Sequence, residues 1–183
     1  MILSISGLHG TGKSTIGKLI AEKLGIRYYS TGQAFRDLAQ DMNMSLEEFS
    51  KFVEKKPEID KDLDNKIIKI AQEGNIIVDS QLSGHLLKSV ADFKIMLICP
   101  LEIRVKRMAE RDGTSYQQKL KETQIREKSE LERFKHLYHI DLSDQKEFKK
   151  LYNIIINTEH LTIEQIIDKI ILALEKKKVI AKF

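Results

Sequence analysis

Along the chain, short β-like runs alternate with longer stretches in which apolar residues return every three or four positions. The short runs are Ile2–Ser6, Arg27–Tyr29, Ile76–Asp79, Lys94–Cys99 and Tyr152–Asn157. The third to fifth are apolar almost throughout, as expected of strands buried on both faces, so the alternation predicts an α/β fold with a mainly parallel sheet covered by helices. Ile16, Leu19, Ile20 and Leu24 form a helical stripe that stops at Gly25. Ile163, Ile166, Ile167, Ile170, Ile171 and Leu174 form another, opened by a capping box of Thr162 and Gln165.

The second and third strands are separated by residues 30–75, far more than a simple crossover needs, which predicts an insertion. Ser45-Leu46-Glu47-Glu48 reads as a capping box opening one helix of it, and after Pro57 the residues Ile59, Leu63, Ile67 and Ile70 mark another ending at Gly74. A second charged stretch, from Arg104 to about Leu142, keeps a helical pattern without one persistent apolar stripe. Helices of that kind project into solvent or close over a ligand.

Chemistry enters directly behind the first strand. Residues Gly7-Leu8-His9-Gly10-Thr11-Gly12-Lys13-Ser14 satisfy G-x-x-x-x-G-K-[ST], a phosphate-binding loop. Its glycines permit a tight concave turn whose N–H groups face one anion, while the helix that follows, with Thr15 in its first turn, offers its positive N-terminus. Lys13 reaches the β- and γ-phosphates in such a loop, and the Ser14 hydroxyl ligates Mg²⁺.

Other residues gain meaning from that loop. Asp79 ends a buried strand where an open α/β sheet presents its ligand crevice, and is expected to hold a water on the nucleotide's Mg²⁺. Thr31, read as a helix N-cap, and Arg36, a bidentate phosphate ligand by type, follow the second strand. Arg104, Arg107 and Arg111 recur at i, i+3 and i+7, which predicts three guanidinium groups on one helical face, available to a closing flap that offsets charge in phosphoryl transfer. Arg126, Glu130 and Arg133 fall at i, i+4 and i+7 and by themselves read as an intrahelical ion-pair ladder.

Composition narrows the picture. A chain of 183 residues, 42% hydrophobic, buries one substantial core and is too short for two ordinary domains. No apolar stretch reaches the length of a membrane span and no charged signal-peptide start precedes the first strand, so a cytoplasmic location is expected. Cys99, the single cysteine, is expected as a buried inert thiol. The net charge of +4 comes from intermixed basic and acidic residues without the like-charge blocks that announce a nucleic-acid partner.

The chain also resembles the cytidylate kinases, most closely their archaeal-type branch. Beyond the loop, the resemblance rests on Ser30-Thr31-Gly32-x-x-Phe35-Arg36, Ser45-Leu46-Glu47-Glu48-Phe49-Ser50, Pro57-Glu58-Ile59-Asp60, Leu82-Ser83-Gly84, Ala91-Asp92-Phe93-Lys94-Ile95 and Arg126-Glu127-x-Ser129-Glu130-x-x-Arg133. Tyr138-His139-Ile140-Asp141-Leu142 and Ile155-Ile156-Asn157-Thr158 add to it, and the matches keep their order along the chain.

It implies a P-loop NTPase with a five-stranded parallel sheet, a helical acceptor-binding insertion (about 31–74) and a lid (about 104–142), transferring the γ-phosphoryl group of ATP to CMP or dCMP with Mg²⁺. It further implies that Gly7 to Thr15 bind ATP, that Ser14 and Asp79 serve the metal, and that Thr31, Arg36, Gln81, Arg126, Glu130 and Arg133 bind the acceptor. Lys13, Arg107, Arg111 and Arg126 would be the catalytic cations, in a monomer. Two departures stand out: Ser80-Gln81 replaces the family's Gly-Arg pair, and Glu130 replaces its Asp.

Three other functions compete. A kinase of the same fold for another nucleoside monophosphate or a shikimate-like hydroxyl is separable only by substrate. A guanine-nucleotide switch lacks its Asn-Lys-x-Asp segment, and an RNA-binding module lacks exposed aromatic stacking motifs.

Overall fold

The computed structural model describes residues 1–142 and 149–181. Five strands, β1 (Ile2–Ser6), β2 (Arg27–Ser30), β3 (Ile76–Asp79), β4 (Phe93–Ile98) and β5 (Ile154–Asn157), form one parallel sheet in the order β2-β3-β1-β4-β5. Around it lie α1 (Lys13–Leu24), α2 (Thr31–Asp41), α3 (Leu46–Glu54), α4 (Pro57–Gln72), α5 (Ser83–Leu86), α6 (Leu101–Asp112), α7 (Tyr116–Tyr138) and α8 (Ile163–Lys176).

Apolar strands make the core. Leu3, Ile5, Ile77 and Leu97 pack against Ile16 and Ile20 of α1 and against Ile166, Ile170 and Leu174 of α8. On the other face, Ile76 and Val78 meet Ile67 and Ala71 of α4. The insertion between β2 and β3 has an apolar centre of its own, Phe35, Ala39, Phe49, Val53 and Leu63, in which the Phe35 and Phe49 rings meet edge-on at 4.7 Å. Burying a side chain such as Phe49 completely is worth about 2–3 kcal/mol.

Both predicted capping boxes form. Ser45 accepts from the Glu48 amide while the Glu48 carboxylate accepts from the Ser45 amide, and Thr162 and Gln165 do the same at α8.

Some local expectations fail. The fifth run is an edge strand of the sheet, and its Ile155 and Asn157 are exposed. Leu19 and Ile163, read as stripe members, stand at 37% and 43% exposure. The cap of α2 is Ser30, whose side chain accepts from the Gln33 amide, and Thr31 is the first helical residue. Cys99 lies one residue beyond β4, half-buried, with its sulfur accepting from Arg107 at 3.5 Å.

The register sets the site. Ile5 of β1 lies opposite Asp79 of β3, which lies opposite Ser30 of β2. The carboxyl ends of three adjacent strands therefore open together, where the chain passes from β1 into the glycine-rich loop.

Candidate active site

Residues 7–12 join β1 to α1. A Cβ on Gly7 would stand 2.4 Å from the Leu97 carbonyl oxygen, so only glycine lets the loop leave the sheet there. Gly12 caps α1 at φ 95°, with no side chain bonded to the first-turn amides and no acid in that turn. The amides and the helix dipole are left to an external anion. Lys13 Nζ donates to the Leu8 carbonyl at 3.0 Å across the loop, and burial pulls its pKa down while Asp79, Glu130 and Glu127 oppose that.

Asp79 is 2% exposed, and one of its oxygens, Oδ2, accepts three hydroxyls: Ser14 at 2.6 Å, Tyr28 at 2.7 Å and Ser30 at 3.3 Å. Burial and the neighbouring carboxylate push the Tyr28 phenol up to about 12, so it stays a donor. Tyr28 belongs to no motif in the sequence and Ser30 only to the Ser30-to-Arg36 match; the strand pairing is what brings both to Asp79.

The opposite wall is α7. Glu130, 5% exposed, accepts from Arg126 Nε at 2.9 Å on one oxygen and from Gln81 Nε2 at 2.8 Å on the other, and His9 Nε2 lies 2.7 Å from that second oxygen. Burial raises the carboxyl's pKa, but His9, Arg126 and Gln81 outweigh it and hold it well below the usual range. The Arg126–Glu130 pair is the intrahelical contact that its spacing predicts, whereas Arg133 reaches across to Asp60 of α4 at 3.1 Å. Ser129 donates to Glu54 and Tyr138 to Asp64, so α7 is tied to the insertion at three levels. Arg36 lies on α2 with Gln33 as its partner. The buried Thr31 Oγ1 and Gln81 Oε1 have no hydrogen-bond partner among the described residues, a costly state that a ligand would relieve.

The three aligned arginines do not converge. Arg104 is buried, bonded to Glu127 at 2.5 and 3.1 Å and to the His9 carbonyl at 2.8 Å. Arg107 holds Thr158 through its hydroxyl and carbonyl. Arg111 is exposed and pairs with its neighbour Asp112. Spacing put them on one side of α6, but their partners approach from different elements, so each has its own task.

Residues 3–135 match the family described as AAA domain. The cytidylate kinase of Pyrococcus horikoshii is 39% identical over 158 residues, 86% of this chain and 80% of that protein. That of Methanocaldococcus jannaschii is 36% identical over 181 residues, 97% of this chain and 99% of the relative. This chain belongs to the cytidylate kinase family.

Solved structures confirm the fold. A shikimate kinase from Acinetobacter baumannii, in complex with shikimate, superposes with a TM-score of 0.60 at 16% identity, covering 98% of this chain and 95% of the other. An uncharacterized protein from Eubacterium ventriosum does so with 0.68 at 17% identity, covering 96% and 98%. For a cytidylate kinase, the two departures noted in the sequence fall on one spot, since Gln81 and Glu130 are bonded to each other.

Proposed function

We propose that this chain is a nucleoside monophosphate kinase that transfers the γ-phosphoryl group of ATP to CMP or dCMP. The observation that carries the reading is the meeting of the glycine-rich loop with α7: the loop's His9 and the acceptor-side Glu130 are 2.7 Å apart, so a triphosphate in the loop and an anion held by α7 would lie end to end. Family membership and the match over nearly the whole Methanocaldococcus jannaschii cytidylate kinase support the choice of acceptor.

Within that reading the Gly7-to-Thr15 loop holds the triphosphate. An oxygen of the acceptor phosphate attacks the γ-phosphorus in line; the new O–P bond forms as the bond to the departing ADP oxygen breaks, and no general base is needed. Lys13 and Arg126 offset the charge of the two anions, and Arg107 and Arg111 complete the proposed cation set. Arg111 is redirected at least cost, since among the described residues only Asp112 holds it. Thr31, Arg36, Gln81, Glu130 and Arg133 hold the acceptor. Residues 31–74 and 104–142 are the proposed acceptor lobe and lid.

Mg²⁺ fits the residues present. Ser14 and Asp79 bring two hard oxygen donors within 2.6 Å of each other at the loop's mouth, and no group of three or more His, Cys, Asp or Glu competes for a metal among the described residues. When bound, the ion supplies charge neutralisation at the phosphates, and Ser14 and Asp79 would orient it. No described helix is long and apolar enough to cross a membrane; a cytoplasmic monomer is the proposed state.

A coupled assay with ATP and Mg²⁺ across CMP, dCMP, UMP, AMP and shikimate tests the function. Turnover of CMP or dCMP well above the rest is expected; turnover confined to AMP, UMP or shikimate overturns the assignment.

A further inference from the structure

We infer that His9, although it sits inside the phosphate loop, is a positioning residue of the acceptor site, fixing the Glu130 carboxylate against which the acceptor nucleotide binds. The inference rests on the acceptor reading of α7 given above.

His9 is fastened to α7 directly through its ring and, by way of Arg104 of α6, through its carbonyl. Its carbonyl accepts from Arg104 Nη1 at 2.8 Å, and Arg104 is paired with Glu127, one turn before Glu130. Its imidazole Nε2 lies 2.7 Å from Glu130 Oε2. A carboxylate only accepts, so Nε2 carries the proton and donates it. Burial lowers the imidazole's pKa, against the pull of Glu130, and the neutral ring with hydrogen on Nε2 is sufficient for this bond. Gln81 Nε2, 3.1 Å from His9 Nε2, is then a second donor to the same oxygen and not a partner of the ring.

The consequence for Glu130 is geometric. Oε1 is taken by Arg126 and Oε2 by His9 and Gln81, so the carboxylate plane is fixed by groups from α7, the phosphate loop and the segment after β3. A glutamate has one more rotatable bond than an aspartate, and a buried one without these donors would turn away from the crevice or take up a proton. The loop that grips the donor thereby also sets where the acceptor's carboxylate contact stands.

Calorimetry of CMP binding without donor nucleotide, together with KM values for CMP and ATP–Mg²⁺, tests the inference on wild type, His9→Ala and His9→Gln. Thermal melting verifies that each variant folds. His9→Ala is expected to weaken CMP binding and raise the KM for CMP roughly tenfold or more, as for loss of a hydrogen bond to a buried charge, with the KM for ATP changed by less than about twofold. His9→Gln, which keeps an N–H donor, should recover much of the loss.

An unchanged CMP affinity in His9→Ala, or a loss confined to ATP, overturns the inference and leaves the kinase reading standing. A His9→Gln variant as weak as His9→Ala overturns the hydrogen-bond tether. Wild-type protein that neither binds nor turns over CMP overturns the acceptor reading itself.

Discussion

Arg104 grips Glu127 with two N–H···O contacts, at 2.5 and 3.1 Å, although the residues are 4% and 8% exposed. The pair joins α6 to α7, and the same guanidinium reaches back to the carbonyls of Cys99 and His9. A charge pair placed there serves geometry more than net stability, because two desolvation costs offset most of the attraction.

Removing one partner should therefore cost more than the pair contributes. Glu127→Ala, which strands a buried guanidinium, is expected to lower unfolding free energy by about 3–5 kcal/mol in urea titration. A loss under about 1 kcal/mol would mean that the site is wetter than its exposure implies.

Lys13→Ala should abolish phosphoryl transfer, by roughly a thousandfold or more, without unfolding the protein. The side chain's hydrogen bond within the protein is to the Leu8 carbonyl of its own loop and ties no other element, so its loss removes no contact that holds the core. Activity and a melting curve measured on the same preparation decide the matter; retained turnover refutes the donor site.

For Arg36→Ala, the KM for CMP should rise roughly tenfold while that for ATP stays within about twofold. Among the described residues Arg36 is hydrogen-bonded to Gln33 on its own helix, so the change breaks no hydrogen bond between elements there. Equal effects on both substrates argue against an acceptor role.

Asp64 offers a pH test. Burial pushes its carboxyl up to about 6, although the Tyr138 hydroxyl bonded to it works in the other direction. In the unfolded chain the group titrates near the ordinary value of about 4. Above pH 6 the folded state carries a buried charge that the unfolded state solvates freely, and this cost fades as pH falls from 6 to 4. Asp64→Asn, which keeps an oxygen for Tyr138, should thus raise stability at pH 7–8 by about 1–2 kcal/mol, allowing for partial solvent access, and lose that advantage by about pH 4. Melting curves across this range check it; a constant difference sinks the explanation.

How much was legible beforehand varies with the reach of each signal. The strands differ from their predicted bounds by two residues at most, and the two capping boxes form as read, since both depend on neighbours a few positions away. At α2 two adjacent hydroxyls, Ser30 and Thr31, could serve as the cap, and Ser30, still extended as the last residue of β2, is the one that accepts from the Gln33 amide. Arg104, Arg107 and Arg111 show the opposite case. Their spacing was right for one helical side, yet nothing local reveals that Glu127, Thr158 and Asp112 would each claim one.

The amino-acid order alone determined the α/β alternation, the phosphate loop and the family resemblance, because periodicity and a glycine-lysine motif are properties of contiguous residues. Only the folded chain decided which distant groups meet: Ser14 with Asp79, 65 positions away, and His9 with Glu130, 121 away. Those meetings follow from the parallel register of β1, β2 and β3 and from α7 docking on the loop, which are fixed by burial summed over the whole core and by no short segment.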